Sequence, residues 1–156
     1  MTMVRILPQA EADAAWAALA HAWDIRAQIW WFPLVETRRT GVAAFEAASF
    51  HATLGPSWLR GVLAARGVEA VVHFPEFAES PVHETSLGDA SFRYDGEEGY
   101  WCDAREAGRD WLVYASHEDS VTVGGAWLID QIQRAWPEWA AHLWNGSPDS
   151  YRAAAT

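Results

Sequence analysis

The first periodic stretch, "PQAEADAAWAALAHAW" from Pro8, places Ala12, Trp16, Leu19, Ala20 and Trp23 on one stripe at helical spacing. Proline fits the first turn of such a helix, and Glu11 and Asp13 lie near the positive end of its dipole. The spacing therefore predicts a helix whose stripe faces a core. Residues 25–35, "IRAQIWWFPLV", form the first apolar run and predict a strand ended or bulged at Pro33. Residues 40–52 predict a second helix with Val42, Phe45, Ser49 and Ala52 along one side. "GPSWLRGVLAARG" follows as a short helix, with Pro56 near its start and Gly67 as its stop.

The second half of the chain changes period. "VEAVVHF" predicts a strand over 68–74 ended at Pro75, and "GYWCD", "DWLVYAS" and "SVTV" predict three more. Between the first of these and the second runs a polar connection over 75–99. Pro81, Gly88 and Gly96 interrupt it, with room for one short strand at 91–94. From Ala126, "AWLIDQIQRAW" places Leu128, Ile132 and Ala135 on a helical stripe. Pro137 breaks that helix, because it lacks an N–H and clashes with the preceding turn. "PEWAAHLW" adds a last turn or two, with Trp139 and Leu143 inward. Helices toward the two ends and hairpin-spaced strands between them predict an α+β fold with a largely antiparallel sheet. The expected organisation is one domain over 1–147 and a frayed tail over 148–156.

Composition narrows the function classes. The 156 residues are 51% apolar, enough for a packed core. No apolar run approaches the roughly 18 residues of a membrane span. The first residues lack the basic-then-apolar order of a secretion signal, so the cytoplasm is the expected location. Every basic residue is arginine, which removes lysine Schiff-base chemistry and the phosphate-binding lysine of a P-loop. The formal charge of −10 argues against nucleic acid and against an anionic membrane surface as partners. Glu76, Glu79, Glu84, Asp89, Asp95, Glu97, Glu98, Asp103 and Glu106 face only Arg93 and Arg105, so −7 of the −10 lies between residues 76 and 106. Concentrated single-sign charge steers an oppositely charged partner, here a basic protein.

Candidate chemistry is sparse. In "SHED", His117 stands between two predicted strands beside Glu118 and Asp119, an imidazole with carboxylates to tune or orient it. The pair Gly124-Gly125 sits between a strand and a helix, where exposed amides could cradle an anion, but it lacks the G-x-G-x-x-G spacing and a nearby cation, and close packing of the helix start explains it equally well. Six histidines include no H-E-x-x-H; His73 and His83 flank the acidic connection and could join Glu76 or Glu84 around a divalent metal, at a spacing that is not diagnostic. No G-x-S-x-G accompanies Ser116, and the lone Cys102 follows Trp101 in an apolar strand. No motif implies a cofactor or a metal. Of the eleven tryptophans, Trp127, Trp136, Trp144 and one of Trp30/Trp31 do not all fit inward, and exposed indoles anchor interfaces.

Two readings follow. The first is a non-catalytic interaction module that binds a basic partner through Glu76, Glu79, Glu84, Asp89, Asp95, Glu97 and Glu98, with Trp127 and Trp136 as anchors. In general character only, such a chain resembles the immunity proteins that neutralise cationic toxins. The second is a small enzyme or ligand-binding domain using His117 with Glu118 and Asp119 as acid–base or metal-binding groups. It requires His117 to face a concave pocket.

Overall fold

The computed structural model describes residues 4–25, 30–34, 41–105 and 110–146. Their elements are, in chain order, β1 (Arg5–Ile6), α1 (Gln9–Trp23), β2 (Val42–Glu46), α2 (Ala47–Thr53), α3 (Gly55–Ala65), β3 (Ala70–Pro75), β4 (His83–Ser86), β5 (Gly99–Asp103), β6 (Leu112–Ser116), β7 (Ser120–Gly124) and α4 (Ala126–Ala135). Single turns of 3₁₀ helix occupy Leu87–Asp89 and Trp139–His142. The seven strands form one sheet in the order β1-β4-β3-β5-β6-β7-β2, and every neighbouring pair is antiparallel. The fold is α+β, as the element pattern predicts. The tail expected over 148–156 lies outside the described residues.

Strand alternation sends the side chains of β5, β6 and β7 to two different cores. Val113, Ala115, Val121, Val123 and Trp101 pack against α2, α3 and α4 through Phe50, Leu59, Leu63, Leu128 and Ile132. Leu112, Tyr114, Tyr100 and Cys102 pack on the other face against Leu19 and Trp23 of α1. With both faces covered, all five positions of β5, of β6 and of β7 are buried. Strands buried on both faces read as near-continuous apolar runs, as "YWC" of β5 and "LVYA" of β6 do, whereas β7 alternates, with Ser120 and Thr122 beside Val121 and Val123.

Three expectations are corrected. Residues 42–46, expected to begin a helix, are strand β2, and helix starts only at Ala47. All five residues of β2 pair with β7, from Val42↔Gly124 to Glu46↔Ser120, so a partner distant in sequence overrides an alanine-rich local preference. The strand expected at 91–94 is absent; the connection instead carries β4, which pairs with β3 on one side and β1 on the other. Phe92 has a left-handed backbone (φ 52°) and is fully buried against Trp101 and Trp111, a plug rather than a strand residue. Of the strand expected over 25–35, residues 26–29 and 35 lie outside the described residues, and 30–34 are turn and coil.

The glycine pair proves structural. Gly125 has φ 122°, and a Cβ there would lie 2.8 Å from the Asp110 carbonyl oxygen. Its N–H already donates to the Gly41 carbonyl at 2.8 Å, so it offers nothing to an anion.

Candidate functional site

The β6–β7 connection is a three-residue turn, His117-Glu118-Asp119, closed by the facing pair Ser116 and Ser120. Asp119 takes the left-handed conformation (φ 58°) that such a hairpin needs at one position and that aspartate tolerates better than most residues. Three further contacts hold the turn. The Ala47 N–H donates to the Asp119 carbonyl at 2.9 Å, and the Trp144 indole N–H donates to the Glu118 carbonyl at 3.0 Å. The Ser116 and Ser120 hydroxyls meet at 2.6 Å in a buried contact. The turn is therefore built into the body of the domain.

Antiparallel pairing of β5 with β6 sets Gly99 opposite Ala115, so the residue before β5, Glu98, arrives beside Ser116 and His117. Glu98 is only 1% exposed. Its Oε2 accepts the Tyr114 hydroxyl, its Oε1 accepts the His117 backbone N–H at 3.2 Å, and the same Oε1 is hydrogen-bonded to His117 Nδ1. On the other edge of the ring, His117 Nε2 lies 3.2 Å from Glu118 Oε1. That contact lacks hydrogen-bond alignment: both Glu118 carboxylate oxygens are closed to solvent and accept no hydrogen bond. The imidazole, with 55% of its side chain exposed, thus stands between a buried carboxylate and a nearly buried one.

This environment binds protons tightly. Burial pushes the Glu98 carboxyl above the usual range, and the Glu118 charge adds to that. The bonds from Tyr114 and from the His117 N–H oppose it. Partial burial lowers His117, but the Glu98 bond and the charges of Glu118, Glu98 and Glu76 outweigh it, and its pKa is raised. Both directions belong to one hydrogen-bonded pair, so the two groups do not titrate independently.

His117 also lines a cavity of about 410 Å³ on the side of α2, together with His51, Arg93, Tyr94, Ser116 and Asp119. Of the cluster formed with Glu98 and Glu118, only His117 reaches that cavity. The Arg93 guanidinium has no side-chain partner among the described residues, whereas Arg5, Arg60, Arg66, Arg105 and Arg134 all have one. His51 is held down to about 4, by burial and then by Arg93, and its buried Nδ1 has no hydrogen bond. Cys102 is buried and its thiol is pushed up to about 12, first by burial, so it packs as a small apolar group.

The expected site residues separate into groups. His117 and Asp119 line the cavity, and Glu118 flanks His117 from the turn. Glu76, Glu79 and Asp95 are exposed on the acidic connection. Glu84 is tied to Arg5 at 3.0 Å, and Asp89 accepts the Ser86 hydroxyl at 2.5 Å. Glu97 accepts the Phe77 N–H at 2.7 Å and the Ser80 hydroxyl at 2.9 Å, which folds the connection back on itself. Two assignments are corrected. Glu98 belongs to no acidic surface, because strand pairing draws it inside. Trp136 is 2% exposed against Phe45 and Phe50, so it anchors the core rather than a partner. Trp127 is half-buried, with its indole N–H on the Asp110 carbonyl and the Arg66 guanidinium 4.4 Å above its ring.

Tyr114, Tyr94, His51 and Arg93 were not expected at a site. Tyr114 lies three residues before His117, and its hydroxyl is visible as a partner only once Glu98 is placed beside it. Comparison with known families, with characterised proteins and with solved structures finds no match to this chain. Among the described residues no helix is long and apolar enough to cross a membrane.

Proposed function

We propose that this chain is a small ligand-binding domain with an acid–base centre, in which His117 exchanges a proton with a polar ligand held in the adjacent cavity. Glu98 carries this reading. A carboxylate withdrawn from solvent and bonded to one ring nitrogen fixes the tautomer and orientation of an imidazole and stabilises its protonated form. The cavity's volume falls in the range of small-molecule sites, about 300–1,000 Å³. Its free guanidinium at Arg93, with the unpartnered His51 Nδ1, suits a small molecule bearing a carboxylate or phosphate group.

The test is a two-dimensional NMR titration of ¹⁵N-labelled protein with a panel of small carboxylates and phosphate esters in EDTA. At least one compound is expected to shift Tyr94, Ser116 and His117 together, with at least tenfold weaker binding in His117→Ala. A panel that leaves these signals unmoved, or moves them equally in the variant, overturns the reading.

A second reading, an immunity-like module that neutralises a basic protein, draws on Glu76, Glu79 and Asp95. These acids are exposed and carry no ion pair among the described residues. Here the double variant Glu76→Arg/Glu79→Arg should slow association and weaken its dependence on salt while leaving stability nearly unchanged. Recovery of no basic partner at low salt counts against it.

A further inference from the structure

We propose that Glu98, His117 and Glu118 bind one divalent transition-metal ion of the zinc class. One ligand-capable atom from each of the three lies within 4.8 Å of the other two, although they come from a strand entry and a turn 19 positions away in sequence. The donor set is two carboxylates and one imidazole. The imidazole favours Zn²⁺ or a similar first-row ion over Mg²⁺ or Ca²⁺, and two carboxylates balance its charge.

Glu118 supplies the independent observation. Both of its oxygens are closed to solvent and accept no hydrogen bond. The cationic group beside this largely desolvated carboxylate among the described residues is the His117 ring, 3.2 Å away without hydrogen-bond alignment, and a metal ion between the two and Glu98 would satisfy it better. The surroundings hold the ligands in place. The Glu118 backbone is fixed at both ends of its peptide, its N–H donating to Ser116 Oγ at 3.2 Å and its carbonyl accepting the Trp144 indole N–H. Glu98 is oriented by Tyr114, the kind of outer contact that fixes metal-ligating carboxylates. Donors about 2.1 Å from a tetrahedral ion lie about 3.4 Å apart, a contraction that the half-exposed His117 side chain can make by rotation.

The inference rests on the reading above for the importance of His117 but not for its ligand. On His117, metal and proton are alternatives. In metal-stripped protein titrated with Zn²⁺ by calorimetry, one ion per chain is expected. His117→Ala and Glu118→Gln should each weaken it at least tenfold, and Asp130→Asn, in an exposed pair with Arg134, should not. Glu118→Gln conserves size, so it reports on ligation even if His117→Ala fails to fold. Co²⁺ should give visible absorption bands that Glu118→Gln abolishes. No Zn²⁺ binding, or binding in Glu118→Gln within twofold of the unsubstituted chain, overturns the metal site. Because the ligand panel is run in EDTA, the two ideas separate. Cavity shifts without Zn²⁺ binding sink only the metal site, and Zn²⁺ binding without cavity shifts sinks only the acid–base reading.

Discussion

His73 and His117 occupy neighbouring parts of one sheet, and their pKa values are driven in opposite directions. The His73 ring stacks on Trp101 (4.6 Å between centroids, 13° between planes) and meets His83 edge-on at 5.1 Å, with no carboxylate bonded to it among the described residues. Burial first, and then the neighbouring histidine, lower it to about 4. His117 is less buried, and its two carboxylates raise it instead. Adjacent residues of the chain serve the two sites. Gly99 leaves the space that the His73 ring fills, since a Cβ there would collide with His73 Nε2. Glu98 points to the opposite face, toward Tyr114 and His117. Burial and a neighbouring imidazole favour the neutral ring at His73, whereas a hydrogen-bonded carboxylate and nearby negative charge favour the protonated ring at His117.

The largest effect expected from breaking this contrast is at Gly99. Gly99→Val drives a side chain into a ring that is stacked on Trp101, and should cost about 2–3 kcal/mol in urea denaturation. A loss under about 0.5 kcal/mol would show that His73 moves freely. Glu98→Gln comes next. It keeps the shape and an acceptor for Tyr114 but removes the charge, so stability should change by about 1 kcal/mol. The His117 midpoint, followed by NMR, should fall toward that of an ordinary histidine, and an unmoved midpoint would mean that Glu98 does not set it.

The pH dependence should run in opposite directions at the two sites. His73 and His51 fall from 6.5 to about 4 on folding. The unfolded chain then binds more protons in that window, and stability is lost as pH falls from 6.5 toward 4. His117 is raised, so its contribution is full below 6.5 and is lost as pH rises through its folded value. Urea midpoints across this range should show the acid-side slope shrink in His73→Phe and the alkaline-side slope shrink in His117→Gln. Equal slopes in the variants and the unsubstituted chain would refute the assignment. The smallest effect is at Glu118→Gln. Its oxygen faces Nε2 at 3.2 Å without hydrogen-bond alignment, so the His117 midpoint should fall less than in Glu98→Gln. Stability should hold or rise slightly, because a buried charge without a donor is removed.

Much of the fold is legible along the chain. α1, α3 and α4 follow their apolar stripes, β3, β5 and β6 follow their apolar runs, and β7 follows its alternation. Residues 42–46 mislead because "VAAFEAASF" favours a helix locally, while the exposed edge of β7 supplies a stronger, non-local partner. Residues 91–94 mislead because one buried phenylalanine in a left-handed conformation resembles an alternating strand in sequence alone. In the candidate site, His117 stands out as an imidazole at a hairpin tip with carboxylates beside it. Its orienting carboxylate is not one of those adjacent to it in the expected sense. Glu98 takes that place, 19 positions earlier.

Local pattern and composition by themselves determined the α+β class, the hairpin carrying His117 and the concentration of acid between residues 76 and 106. These follow from side-chain periodicity, turn chemistry and counting, which need no knowledge of distant neighbours. Only the tertiary structure decided which acids remain on the surface and which one is drawn inside. That choice depends on strand register: with Gly99 set opposite Ala115, Glu97 stays on the loop to hold Phe77 and Ser80, and Glu98 turns inward to meet Tyr114 and His117.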